Sequence, residues 1–587
     1  MYLKTVWPQL KKFSIADVLT FGFLGIFVYL LFYVGLTWKK TALPSMQIDL
    51  KMSALPLYAS FSMARAFLAL ILSIVFSLVY GTVAATNRKA EKWMIPILDI
   101  LQSVPVLGFL PGLAIVMMAL FPNSRIGLEL MAILMIFTSQ VWNMTFSIYQ
   151  SAKQTPQALK DISNIYGLKF LRKFFWVQVP FGMIPLVWNA MMSVAGGWFF
   201  LMICESFVLK GKDFRLPGLG AYMSVAINHG DKAAIAAGGL TMLALILLLE
   251  VFLWRPLMSW ASRFKWETVQ THKIPEVFIY RVLKKSTLLD RLMERFFFFI
   301  NRMMTKIDVS RRKRETLPLS LWKAGVGDSG TWGGRAAVPR VGGRGMFILF
   351  FTAFVILSLL GFGLLISLLI SIDFSKWLEI LRGAGLTSLR VFVSLALASL
   401  WAIPLGILIG FFPKITRWAQ PLVQIAAAFP MPMLFPLVLI GLHTLHVGMG
   451  WGSIILLTLA LQWYLLFNTI AGAASLPQGF KELSTTYRLP FSLQMKKIIL
   501  PALFPFLVTG WITAAGAGWN AAIVAEYIPY RGEIFTTMGL GSIMSRSAAH
   551  EDYVMLTAAL VVMVLFVIGF NRLFWKKISE LAETRFS

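Results

Sequence analysis

A chain of 587 residues with 58% apolar, 14% aromatic and only 14% charged side chains is too apolar for a water-soluble fold of this size. Uncharged runs of about 20 residues, enough to cross a hydrocarbon core of ~30 Å, recur throughout, and the ~10-residue alternating segments of a membrane β-barrel are absent. The net charge of +28 is not a nucleic-acid signature, because most Lys and Arg fall on one side of the topology derived below, as the positive-inside rule expects.

Residues 1–17 carry Lys4, Lys11 and Lys12 and lead into an apolar run over about 18–37 with no cleavage pattern, so this run is expected to be a first membrane helix entered from the cytoplasm. Further spans are expected near 60–86, 95–121, 127–150, 177–204 and 233–254. Arg88, Lys89 and Lys92 suggest a basic turn, and Pro105 and Pro111 interrupt the third span. The loop 155–176 is placed in the cytoplasm and 205–232 outside. Residues 255–344 hold 19 Lys or Arg against 7 Asp or Glu and end in a glycine-rich stretch. That stretch lacks the Gly-Lys-Ser/Thr ending of a phosphate loop and has no strand before it, so it is expected to be a flexible linker. Within it, Phe296–Ile300 suits either an interfacial helix or a small packed segment. An extra helix is expected over 346–371, then spans near 387–411, 416–441, 449–472, 499–524 and 553–573.

The second set of spans repeats the first. Trp142 pairs with Trp463, Trp198 with Trp519, Glu205 with Glu526, Gly218-Leu219-Gly220 with Gly539-Leu540-Gly541 and Asp231 with Asp552, all 321 residues apart. Upstream, Arg65 pairs with Arg390, Gly81 with Gly406, Pro96 with Pro421 and Pro105 with Pro430 at an offset of 325. An internal duplication is the only economical account. The expected fold is an all-α polytopic membrane protein of about 12 transmembrane helices in two halves, with both termini cytoplasmic. An even number of spans per half makes the repeats parallel, with a pseudo-two-fold axis along the membrane normal. The expected division is 1–55 (tail, first helix and outer loop), 56–256 (first repeat domain), 257–345 (linker), 346–380 (extra helix) and 381–587 (second repeat domain).

The duplicated loop reads as a short amphipathic helix. Thr155 is a suitable N-cap with Pro156 at the first helical position, and Gly167 suits a left-handed stop. Ala158, Leu159, Ile162, Ile165 and Tyr166 share one face, as do Phe480, Leu483 and Tyr487 in the second copy. Such a helix either packs on its own membrane domain or docks a cytoplasmic partner, and two copies imply a two-fold symmetric partner. Trp198, Glu205, Trp519 and Glu526 are candidates for a translocation path or gate, since ionisable groups near membrane depth are functional by default. Bracing of the Gly-Leu-Gly loop by the two glutamates is the competing role, and helix packing the competing role for the tryptophans. Arg65 and Arg390 are expected to snorkel to the outer interface. His443 and His446 have no matching ligands for a metal, and no nucleophile–base constellation stands out.

The loop also resembles the coupling loop of permease subunits of ATP-binding-cassette importers. The first copy matches through Asp161, Gly167, Val177, Val179 and Pro180, the second through Glu482, Ile498, Leu500 and Pro501. The Trp…Glu…Gly-Leu-Gly series is similar to the nitrate/sulfonate/taurine branch of that superfamily, here in a fused, duplicated form. Asp161 stands for the usual Glu, and Arg488 stands where the second loop should have its glycine, so that loop is expected to end differently, near Pro490. The resemblance implies the type I importer permease fold in the bacterial inner membrane, with Pro156, Asp161, Gly167, Pro180, Pro477, Glu482, Arg488 and Pro501 at the ATPase-coupling loops. It implies a small anion as cargo, two separate ATPase subunits holding ATP and Mg²⁺, and an extracytoplasmic solute-binding protein. The chain itself has no nucleotide-binding motif, no cofactor and no catalytic residues. A self-sufficient twelve-helix secondary transporter, a same-fold permease for another solute and a membrane regulator are the rival readings.

Overall fold

A computed structural model describes residues 47–264, 343–476 and 490–586 apart from positions 123, 169, 210, 211, 531 and 532, together with residues 294, 295, 298, 302 and 487. The expected first helix, nearly all of the linker, and Pro477, Glu482 and Arg488 of the second loop lie outside the described residues.

Asn87 separates the first two helices. It ends α1 (Leu55–Thr86), and its side-chain oxygen accepts from the backbone N–H groups of Lys89 and Ala90 at 3.0 and 3.3 Å to start α2 (Arg88–Ser103). The basic residues Arg88, Lys89 and Lys92 therefore belong to a helix and not to a turn. Pro105 has no N–H to continue that helix. The chain passes through a 3₁₀ turn, Val106–Phe109, and leaves in α3 (Leu110–Leu120) at 82° to α2. Pro111 interrupts nothing; it lies in the first turn of α3, where a missing N–H costs no hydrogen bond. Then come α4 (Ile126–Gln154), the loop helix α5 (Gln157–Ile165) and α6 (Met183–Glu205). A hairpin of β1 (Ser206–Leu209) and β2 (Lys212–Arg215) follows, then α7 (Leu219–His229) and α8 (Lys232–Leu249).

The second half opens with α9 (Gly343–Ile370), an apolar helix that leaves Leu360, Phe362 and Leu364 exposed. It then repeats the plan: α10 (Phe374–Phe411), α11 (Pro413–Ala428) and α12 (Met431–Thr444), bent by 83° at Pro430, then α13 (Met449–Ser475) and α14 (Leu500–Ala525). The second hairpin, β3 (Tyr527–Tyr530) with β4 (Glu533–Thr536), leads to α15 (Leu540–Ala549) and α16 (Tyr553–Phe570). Even local irregularities recur in register. Phe174–Gln178 and Met495–Ile499 are single π-turns, and so are Glu250–Trp254 and Asn571–Trp575, each pair 321 residues apart.

Among the described residues, eight helices are long and apolar enough to cross a membrane, and counting each bent pair as one crossing gives ten. Large side chains such as Val75, Val79, Leu389 and Leu400 face outward, as they do against lipid. The halves interlock through the bent pairs. α2 packs on α16 of the other half, and α11 packs on α8 and α6. Leu107 and Leu110 share a core with Met544 and Leu556, while Met433 joins the core around Met191 and Val194. The same surface is used twice, reciprocally, as a two-fold relation between parallel halves requires.

Candidate functional site

Glu205 is the last residue of α6 and is fully buried. Its Oε1 accepts from Ser62 Oγ and Arg65 Nη1, both at 2.7 Å, and its Oε2 accepts from the Gly220 N–H at 2.7 Å. Ser62 Oγ in turn accepts from the Leu219 N–H at 2.9 Å, and Arg65 Nη1 also donates to the Pro217 carbonyl at 2.9 Å. The second half repeats this bond for bond. Glu526 accepts from Thr387 Oγ1 at 2.7 Å, Arg390 Nη1 at 2.8 Å and the Gly541 N–H at 2.8 Å; Thr387 Oγ1 accepts from the Leu540 N–H at 2.9 Å. Gly218 and Gly539 have extended backbones, and glycine is required there for space, because a Cβ at either would overlap the carboxylate. Each cluster ties the repeat's first helix to its hairpin and Gly-Leu-Gly turn.

Arg65 and Arg390 do not snorkel. A guanidinium reaching the interface would leave the buried carboxylate unpaired, and both arginines turn inward to it, 0% and 8% exposed. The first cluster carries one more acid. Glu129, near the start of α4, takes a two-pronged contact from Arg65, Nε at 2.6 Å and Nη2 at 2.8 Å. Its repeat position is Gly450, and Arg390 Nη2 donates to Thr537 Oγ1 at 2.9 Å.

Trp198 and Trp519 are buried, at 2% and 3% exposure. Trp198 packs in the first-half core with Leu201 and Trp254, and Trp519 lies 6.2 Å from the Phe570 ring. A cavity of about 260 Å³ between the halves is lined instead by the next residues, Phe199 and Asn520, and by Trp142 and Trp463. A larger cavity of about 550 Å³ lies toward the two hairpins, lined by Met202, Met223, Met433 and Met544. The pairing of Trp142 with Trp463 was the sequence signal for the inner cavity, but a repeat offset does not show which face of a helix looks inward.

α4 is 29 residues or roughly 40 Å long, and at its far end from Glu129 the chain enters α5. Thr155 is not the cap, because its hydroxyl donates back to the Ser151 carbonyl at 3.1 Å. Pro156 holds the N-cap position, and its carbonyl accepts from Leu159 and Lys160 at 3.1 and 3.2 Å. Gly167 closes the helix at φ 59°, with its N–H donating to Asn164 and the Leu168 N–H to Ser163, both at 2.9 Å. Ser163 is buried, whereas Ile162, Ile165 and Tyr166 are 47%, 82% and 78% exposed. Asp161 is exposed and accepts from Gln157 Nε2 at 2.9 Å. The apolar stripe therefore faces away from the bundle. Pro180 and Pro501 each follow a π-turn at the foot of the next span. In the second loop Tyr487 is exposed, and the Pro490 carbonyl accepts from Leu493 and Gln494 to open the next helical turn.

Residues 73–254 and 402–579, together more than half of the chain, each match the family described as "Binding-protein-dependent transport system inner membrane component". The chain is 27% identical over 139 residues to the bicarbonate transport system permease protein CmpB of Synechococcus elongatus, covering 24% of this chain and 49% of that protein. It is 29% identical over 153 residues to the nitrate import permease protein NrtB of Synechocystis sp., covering 26% and 54%. With the taurine transport system permease protein TauC of Escherichia coli it shares 27% identity over 200 residues, covering 33% and 67%. The matched segment thus spans about half the length of the first two relatives.

Proposed function

The chain belongs to the family of binding-protein-dependent transport system inner membrane components and carries that domain twice; on this premise we propose that it forms the whole translocation path of an ATP-binding-cassette importer for a small anion. The exposed apolar face of α5 carries the coupling part of the proposal. Three large apolar side chains presented to solvent on and just after a helix closed by the Gly167 turn, beside the charged Lys160 and Asp161, have the character of a docking element. Separate ATPase subunits, one per loop, would sit there and hold the ATP and Mg²⁺. α5 and both termini are then cytoplasmic, and the hairpins face a soluble solute-binding protein outside a bacterial inner membrane. Residues 56–256 and 381–587 act as the two permease domains, joined by 257–345, with 1–55 and 346–380 contributing the added helices. The cargo class follows from relatives named for bicarbonate, nitrate and taurine.

The test is retention of an ATPase. The chain purified from its native membrane should carry a cytoplasmic ATPase with it, and the pair Asp161→Lys and Glu482→Lys should release it. If no ATPase is retained and the loop variants accumulate solute as well as the parent, coupling through α5 is wrong, and a self-sufficient secondary transporter takes its place.

A further inference from the structure

α2 and α11 keep one surface pattern through the duplication. At the offset of 325, Lys89 corresponds to Lys414, Lys92 to Arg417, Trp93 to Trp418, Pro96 to Pro421 and Ile97 to Leu422. Between them the copies have diverged, with Glu91 against Thr416, Met94 against Ala419 and Asp99 against Gln424. The kept pattern faces outward. Trp93 and Trp418 are 76% and 78% exposed, although tryptophan is on average a well-buried residue. Lys89, Lys92 and Lys414 are exposed and form no ion pair among the described residues.

Trp93, Pro96, Ile97, Ile100 and Leu101 follow helical spacing and make one exposed stripe, with Lys89 one turn before it on the same face. The other side of α2 turns inward: Leu98 is buried and Gln102 lines the inner cavity, as its equivalent Ala427 does in α11. The stripe therefore points away from the cavity, toward lipid. Tyr80 Oη donates to the Met94 carbonyl at 2.8 Å, so α2 turns back alongside α1 from the corner at Asn87. Trp93 then lies roughly 8 Å along α2 from that corner, and Lys89 lies beside it. Glu91, the acid of the first turn, does not neutralise the lysines, because Tyr149 Oη and Lys153 Nζ already donate to it at 2.6 and 2.7 Å.

Building on the permease reading above, which puts this corner at the cytoplasmic face, we propose that Lys89, Lys92 and Trp93, and their repeats around Lys414 and Trp418, form two equivalent sites for the headgroup of an anionic phospholipid of the inner leaflet. The ammonium groups meet the phosphate, and the indole sits at the boundary of headgroups and acyl chains. Ile97 and Ile100 continue the stripe along the acyl chains. A soluble partner would not need that continuation away from the corner, and the lysines give a charge complement that a neutral lipid would not use.

The experiment is native mass spectrometry of the full chain loaded with phosphatidylglycerol or phosphatidylcholine of the same acyl chains. The parent should retain two phosphatidylglycerol molecules in preference to phosphatidylcholine, and soluble glycerol 3-phosphate should not displace them. Lys89→Gln and Lys414→Gln should each weaken one site about fivefold, and the double variant should lose the preference. Trp93→Ala with Trp418→Ala should lower retention at both sites. Equal retention of phosphatidylcholine by the parent overturns the proposal, as does displacement by glycerol 3-phosphate; both are read without any variant. Unchanged phosphatidylglycerol counts in a folded double variant, of lysine or of tryptophan, overturn it too. So does loss of a retained ATPase from the lysine variant with its lipid count unchanged, since the face would then belong to the ATPase. The side of the membrane is read separately. Cys204 is buried, so Lys89→Cys reports the reach of a membrane-impermeant maleimide, expected from the cytoplasmic face. Labelling from the outer face overturns the topology of the permease reading, whereas cytoplasmic labelling without a lipid preference overturns the lipid sites alone.

Discussion

Arg65 holds two carboxylates and Arg390 holds one, and this asymmetry has an energetic consequence. Removing one member of a buried ion pair costs about 3–5 kcal/mol, because the partner is left charged and dry. Arg65→Met strands both Glu129 and Glu205, whereas Arg390→Met strands Glu526 alone, with Thr387 and the Gly541 N–H still bound to it. Arg65→Met should therefore lower the melting temperature in nanodiscs more than Arg390→Met, and Glu129→Gln should recover part of the difference. Equal melting of the two arginine variants would show that Glu129 does not load the first cluster. The glutamates' bracing of the Gly-Leu-Gly turn was legible in the sequence as one of two roles. The arginines were misread for a physical reason: Glu205 and Glu526 recur at offset 321 but the arginines at 325, so no single register displayed them as partners. The signal available was that a duplicated acid in an apolar run needs a counter-charge.

α5 shows which element-scale features travel in sequence. Its left-handed stop at Gly167 and its apolar stripe were readable, because both are local. Its cap was not, because Thr155 has an alternative acceptor one helical turn back, in α4. Gly167→Ala forces a Cβ into a left-handed backbone at about 1–2 kcal/mol. Space is not limiting, since no atom lies within 4 Å of the added methyl. The expected result is an unchanged global melting temperature with faster amide exchange over 157–168. A whole-protein drop instead would mean that α5 is integral to the bundle core. The breaks at Pro105 and Pro430 were likewise legible from proline chemistry. The in-register π-turns were not, because Asn571–Trp575 keeps its π-turn although Lys577 stands where the first copy has Pro256.

At the scale of the molecule, the duplication was plain in the sequence, but the interlocking of the halves was not. Offsets give equivalence between positions, and contact between equivalent surfaces depends on where the bent pairs point. The structure sends α2 to α16 and α11 to α8, and adds polar links across the seam: Leu107 N–H to Asn520 Oδ1 at 3.3 Å and Gln424 Nε2 to Glu250 Oε2 at 2.9 Å. A seam built this way does not depend on the covalent linker. Each half alone would present its bent pair to lipid, with Glu250 stripped of Gln424 and left, among the described residues, with Arg255 at 3.3 Å. Two chains ending and beginning within 265–293, co-expressed in one membrane, should therefore co-purify as a stoichiometric pair, and Gln424→Leu should weaken that pairing while leaving the fused chain assembled. Fragments that insert but do not find each other would mean that the linker, and not the reciprocal seam, holds the halves in register.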